Sequence, residues 1–380
     1  MQHAVHHLRT RRAAAAVLAA SSLLAAGCAP AQAPSSDTKA PFTPQACKTT
    51  VTPGAAGSSV TVYSTNGLMN TTDQNNWYNK EFAAFTKQTG IKVNYVEADS
   101  GPIEEHVESE TAAPKADVLI TLPPFAQKAA LAGALSPYTP QCVDQVDPSL
   151  VDADHQWEAV MVNYLSFIYN APDAASNPPK TWQDLLSPKY KHKLQYSTPG
   201  VAGDGTAVMI KAIRDMGSPQ AAMAYFKQLQ ENDVGPSRST GQLEAKVNSG
   251  TLLVANGDLR MNYNDQKNSY HNYKIFFLGG RDATPTTIPL PYFAGLVKNC
   301  PDPANGQRLI DFLLSEPAQL DTSLSGYGLP ARTDVKPADA NYLALQALLK
   351  NVLIVPVDWK STAPDYGQYV TEWNKATGTP

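Results

Sequence analysis

Ala116–Pro124 reads ADVLITLPP, five apolar or β-branched residues in a row closed by a proline pair. A short, almost wholly apolar run bounded by turn residues predicts a strand covered on both faces, as in a parallel sheet. The neighbouring segments agree. SVTVYSTNG (59–67) alternates apolar and polar residues before an Asn-Gly turn and predicts an earlier strand. NWYNKEFAAFTKQTG (76–90) spaces Trp77, Phe82 and Phe85 as a helix does and stops at Gly90. IKVNYVEA (91–98) predicts a second strand and IEEHVESE (103–110) the start of a second helix, while FAQKAALAGAL (125–135) follows as a third helix. The βαβαβα order predicts a parallel, doubly wound sheet. Ligands of such sheets sit beyond the carboxyl ends of the strands, which here are Ser64–Gly67 and Thr121–Pro124.

The plan recurs downstream. VNYLSFIYN (162–170) and GTLLVANGD (250–258) predict strands, the latter ending at Asn256 and Asp258. Between them YSTPGVAGDGTAVMI (196–210) places Ser197, Thr198, Asp204, Gly205 and Thr206 before an apolar helix that runs to Met216. One reading is a capping loop, since Ser and Asp are favoured N-caps. The other is an anion cradle, because a helix N-terminus offers free N–H groups and a favourable dipole. Two α/β lobes with polar loops at their strand ends would hold a small molecule between them. The expected division is lobe 1 at 59–162 and 290–330, lobe 2 at 163–289, and C-terminal helices at 331–380 against the hinge and lobes.

The ends carry other expectations. Residues 1–27 combine His3, Arg9, Arg11 and Arg12 with a short apolar run and end in LLAAG before Cys28, the order of a secretory leader. The stretch resembles a bacterial lipobox, which makes Cys28 the expected lipidation site and membrane anchor. Residues 28–58 are rich in Pro, Ala, Ser and Thr and are expected to form a flexible tether. Without residues 1–27 the charge is 27 minus 34, or −7, and no basic nucleic-acid face is visible. Export makes one disulfide among Cys47, Cys142 and Cys300 expected, with the pair left open.

VTVYSTNGL, ADVLITLPPF, NYLSFIYN, KLQYSTPGVAGDGTAVM, NDVGPSRSTG, VANGDLRMN, IPLPYFAGLV and GYGLPARTDV together carry a resemblance. In this order they resemble the type II periplasmic solute-binding proteins of ABC importers, and within them the 2-aminoethylphosphonate-binding group, over about Val60 to Lys336. The resemblance implies a hinged two-lobe α/β fold, an interdomain cleft, and delivery of ligand to a membrane permease and its ATPase by a monomeric receptor. Related ferric binders carry an adjacent Tyr pair where this chain has a lone Tyr263. Another small anion, a polyamine or ferric ion are the alternative ligands on the same fold.

2-Aminoethylphosphonate needs hydrogen-bond donors at one end and carboxylates at the other. Candidate donors are Ser64, Thr65, Ser197, Thr198, Gly205 and Thr206, with Asn66, Asn256, Tyr164 and Tyr292 at the sides. Thr121 and Pro123 are expected at the cleft floor. Asp258 is the preferred ammonium partner, Glu97 its alternative, and Asp204 has a capping or ammonium role. No G-x-S-x-G, H-E-x-x-H, P-loop or C-x-x-C motif is present, and the histidines lack ligand spacing. The expectation is therefore no catalytic residue, no metal and no cofactor.

Overall fold

The computed structural model describes residues 47–69, 76–174, 178–280 and 282–379. The expected leader, the expected lipidation site Cys28 and the tether up to residue 46 lie outside them. In chain order the strands are β1 (Ser59–Thr65), β2 (Lys92–Ala98), β3 (Val118–Thr121), β4 (Leu135–Ser136), β5 (Glu158–Met161), β6 (Leu165–Asn170), β7 (Leu194–Gln195), β8 (Val254–Asp258), β9 (Tyr273–Phe276), β10 (Thr286–Thr287), β11 (Tyr292–Val297) and β12 (Leu353–Ile354).

They form two main sheets. The first runs β2-β1-β3-β11-β4, with β5 also on β11, and the second runs β7-β8-β6-β9. β1 is parallel to β2 and β3, as the alternating order dictates. The wholly parallel expectation fails at β11, which returns from the second lobe and lies antiparallel to β3, with Phe293 opposite Thr121. That reversal sets the first residue of β11, Tyr292, beside the carboxyl end of β3. In the second sheet β7 and β8 are parallel and β6 is antiparallel to β8, Leu165 facing Asp258.

All four residues of β3 are buried, because helices cover both faces of the sheet. Trp77, Phe85 and Ile103 are fully enclosed around it, with Phe85 edge-on to Phe312 at 5.5 Å. Each fully buried large apolar side chain contributes about 1.5–3 kcal/mol.

The chain passes between the sheets after β5 and again before β11. The passages run side by side: Tyr164 bridges Pro289, and Leu290 N–H donates to the Asn163 carbonyl at 2.8 Å. Two adjacent extended crossings form a hinge. Tyr164 joins this crossing through its backbone, is half-buried, and is not among the residues that line the cavity between the sheets.

Residues 47–58, expected as tether, are instead fastened to the first lobe. Cys47 is disulfide-bonded to Cys142, and the Arg332 guanidinium donates to the Cys47 carbonyl at 2.8 Å. Cys300 is the buried free thiol, its pKa pushed by burial to about 11. Within the expected C-terminal helices, one whose bounds the sequence did not give, Tyr366–Thr377, packs on the second lobe through Trp373, whose Nε1 donates to the Tyr196 hydroxyl at 3.1 Å. Its first residue, Tyr366, reaches the ring of Phe125 in the first lobe at 5.5 Å.

Candidate functional site

A small polar cavity of about 30 Å³ lies between the sheets at the carboxyl ends of β1 and β8. Thr65, Asn66, Asp99, Ser100, Leu122 and Tyr292 line it from the first lobe; Asp204, Thr240, Asp258 and Arg260 face them from the second. Of the expected site residues, Thr65, Asn66, Asp204, Asp258 and Tyr292 are thus brought together.

The first-lobe wall is built by β1 and the helix Ser100–Ser109. Thr65 Oγ1 and Ser100 Oγ are 2.8 Å apart, and Asn66 Nδ2 donates to Asp99 Oδ1 at 2.8 Å. Ser64 points the other way, as strand alternation requires. It is fully buried, and its hydroxyl donates to the Thr65 carbonyl at 3.0 Å. Thr121 is also buried away from the cavity, and Leu122 takes the floor position expected of it and of Pro123. Glu97 is exposed on β2, its carboxylate accepting from the Tyr95 hydroxyl.

The second-lobe wall corrects the cradle. Thr206 is fully buried; its hydroxyl donates to the Ala202 carbonyl at 3.0 Å and accepts from Gly200 N–H at 2.9 Å. Ser197 and Asn256 bond each other deep in the lobe, with Asn256 Nδ2 donating to Ser197 Oγ at 3.0 Å. Thr198 Oγ1 donates to the Ser237 carbonyl at 2.9 Å. Gly205 packs so closely that a Cβ there would lie 2.1 Å from the Ser197 carbonyl oxygen. These residues close the loop on itself. Only its edge, Ala202, Gly203 and Asp204, reaches the cavity, at the start of the helix Gly203–Met216.

Asp204 does not cap that helix: the N-cap position is Ala202, and no side chain bonds the free N–H groups. Its carboxylate is 6 % exposed, and Oδ1 has no hydrogen-bond partner among the described residues. Burial, and then the neighbouring Asp258, push its pKa up to about 8, against the opposing pull of Thr240 and Arg260. Asp258 does cap, through Oδ1, the helix Leu259–Asn268 at Met261 N–H. Its other oxygen accepts from the Tyr292 hydroxyl at 2.9 Å. Burial holds that phenol well above its ordinary pKa, so the donating proton stays in place. The Asp258 capping role and its place in the cavity are therefore compatible.

Sequence reasoning missed Asp99, Ser100, Thr240 and above all Arg260. Arg260 stands two residues after Asp258, in a segment whose sequence drew attention to Asp258 and Tyr263 instead. Its Nε donates to Tyr292 at 3.3 Å and its Nη2 to the Gly67 carbonyl at 2.5 Å.

Residues 80–348 match the family model described as "Bacterial extracellular solute-binding protein". Over 86 % of this chain and 94 % of the relative, the sequence is 43 % identical to a Salmonella typhi protein named "Putative 2-aminoethylphosphonate-binding periplasmic protein". The chain belongs to the bacterial extracellular solute-binding proteins. A more distant relative is the "Iron uptake protein A1" of Synechocystis, 25 % identical over 68 % of this chain and 73 % of that one. Among solved structures, the periplasmic binding protein AfuA of Actinobacillus pleuropneumoniae superposes with a TM-score of 0.73 at 17 % identity, covering 86 % of this chain and all of AfuA. As a solute-binding protein of the type II periplasmic fold, this chain is the substrate-binding receptor of an ABC importer, working outside the cytoplasm.

Proposed function

We propose that the cavity captures 2-aminoethylphosphonate or a close aminophosphonate. The observation that carries the reading is the partnerless, buried Asp204 oxygen beside Asp258, in a small cavity that also holds donors. The two carboxylates suit an ammonium. The hydroxyls of Thr65, Ser100 and Thr240 and the start of the helix Gly203–Met216 suit an acidic head two carbons away. The name of the 43 % identical Salmonella relative supports the same ligand. The lone Tyr263, where the related ferric binders carry an adjacent Tyr pair, favours this ligand over ferric ion.

Calorimetric titration with 2-aminoethylphosphonate, phosphate, putrescine and ferric citrate tests the reading. Heat with the aminophosphonate and not with the others is expected; heat only with another of the four overturns it. We further propose that the exported chain is a monomer held to the membrane through a lipid on Cys28, delivering its ligand to a permease with its ATPase. Cys28→Ser should then release the protein from the membrane fraction, and unchanged attachment would remove the anchor.

A further inference from the structure

Arg260 is 4 % exposed and lines the cavity, yet among the described residues no carboxylate forms an ion pair with it. All three of its bonded partners are neutral oxygens: the Tyr292 hydroxyl, the Gly326 carbonyl at 3.4 Å and the Gly67 carbonyl at 2.5 Å. Asp258, which is near it, is occupied by Tyr292 and Met261 instead. A guanidinium carries five N–H donors, so about two remain beyond these three bonds. Arg260 also sits in the first turn of the helix Leu259–Asn268, where the helix dipole disfavours a cation. Asp258 and Asp265 give it counter-charge at a distance, but neither is bonded to the fork, and a buried charge is best stabilised by a directly bonded partner. The position makes sense when an anion completes it.

The partners add a second point. Arg260 belongs to the second lobe; Gly67, at the end of β1, and Tyr292, on β11, belong to the first. Opening the lobes must break these bonds. Gly67 has a φ of +87°, a conformation that presents its carbonyl without a side chain in the way, Arg260 Nη2 lying 3.5 Å from where a Cβ would be.

We infer that Arg260 is the anion-reading residue of this site and the latch of its closure, its fork taking the ligand's acidic oxygens while holding the Gly67 and Tyr292 oxygens of the opposite lobe. The inference rests on the cavity being the ligand site proposed above. A phosphonate or phosphate suits it because a planar fork meets two oxygens at once, which an ammonium cannot reproduce. Binding and closing are then one event, since the residue that meets the anion also bridges the lobes.

The test compares the intact protein with Arg260→Lys and Arg260→Met by calorimetry and small-angle scattering, after thermal melting has shown which variants fold. Arg260→Lys, which keeps the charge and loses the fork, should weaken 2-aminoethylphosphonate at least about tenfold. Arg260→Met should weaken it about a hundredfold or more and abolish the ligand-induced contraction in scattering. Arg260→Lys alone decides the matter if Arg260→Met does not fold. Equal affinity and equal contraction in the variants overturn the inference while leaving the ligand assignment intact. If the unaltered protein takes no 2-aminoethylphosphonate, that assignment falls, and methylphosphonate and inorganic phosphate become the probes. Arg260-dependent binding of either still upholds the inference; no binding of any of the three overturns it too.

Discussion

The two walls of the cavity differ in kind. The first lobe presents mainly neutral groups: the Thr65 and Ser100 hydroxyls, the Asn66 amide and the Tyr292 phenol. Its one carboxylate there, Asp99, is half-buried and bonded to Asn66. The second lobe presents the buried ionisable groups, Asp204, Asp258 and Arg260. Neutral hydroxyls keep their water at small cost in an open cleft, whereas buried charges are held in place by the fold around them. On the proposed reading, a charged ligand finds its strong partners on one lobe, and the other supplies directional bonds and excludes water.

This contrast can be broken by substitution. The largest effect after that of Arg260 is expected from Asp204→Asn. Losing one charge-assisted bond of about 1.5–3 kcal/mol should weaken 2-aminoethylphosphonate about ten- to a hundredfold in calorimetry. Thr65→Val, on the neutral wall, removes a bond worth about 0.5–1.5 kcal/mol and should weaken binding about two- to tenfold. An equal loss from both substitutions would erase the distinction between the walls.

Protons sharpen the same contrast. The Asp204 pKa of about 8 lies above the ordinary 3.8, so its share of the free protein's stability is fully present below about pH 4. That share is lost as pH rises through about 8. An ammonium ligand favours the ionised form, so binding at pH 7 should release protons, read as heats that vary with buffer ionisation enthalpy. Asp204→Asn should abolish most of that release and flatten part of the stability loss between pH 4 and 8. Glu81 and Glu104, both raised to about 8 by burial first, titrate in the same window and keep the remainder.

Thr206→Val should leave affinity unchanged. Its hydroxyl joins Gly200 and Ala202 inside the loop, so the loss of about 1–3 kcal/mol should appear in the melting temperature, as a fall of a few degrees. A weaker ligand with unaltered melting would return the loop hydroxyls to the cavity.

The alternation in β1 and the apolar run of β3 made the layered architecture legible, and the strand-end rule led to Thr65, Asn66 and Asp258. The direction of β11 was not legible, because nothing local in Tyr292–Val297 tells whether it enters the sheet from the hinge side. Nor was the loop at Ser197–Thr206: its composition suits a cradle and a self-bonded turn equally. Only the long-range pairs, such as Ser197 with Asn256, decide between them. Arg260 was hidden for a related reason. Its partners Gly67 and Gly326 lie 193 and 66 residues away, and two of its contacts are backbone carbonyls that carry no residue signature. The helix Tyr366–Thr377 carries its buried contacts mainly through Trp373 and Tyr366, too sparse a stripe for its period to stand out.

At the rim, the helix Ser100–Ser109 of one lobe meets the loop of the other backbone to backbone: Gly101 N–H donates to the Val201 carbonyl at 2.9 Å. A Cβ on Gly101 would lie 2.3 Å from the Gly200 oxygen, where ordinary contact begins near 3.4 Å. A single methyl here is thus a doorstop. Gly101→Ala would hold the mouth ajar by about an ångström while leaving every cavity-lining side chain in the sequence unchanged. Solvent could then reach the bound molecule, and it should escape faster while being captured at nearly the same rate. How long this receptor keeps its cargo is written at a position that has no side chain at all.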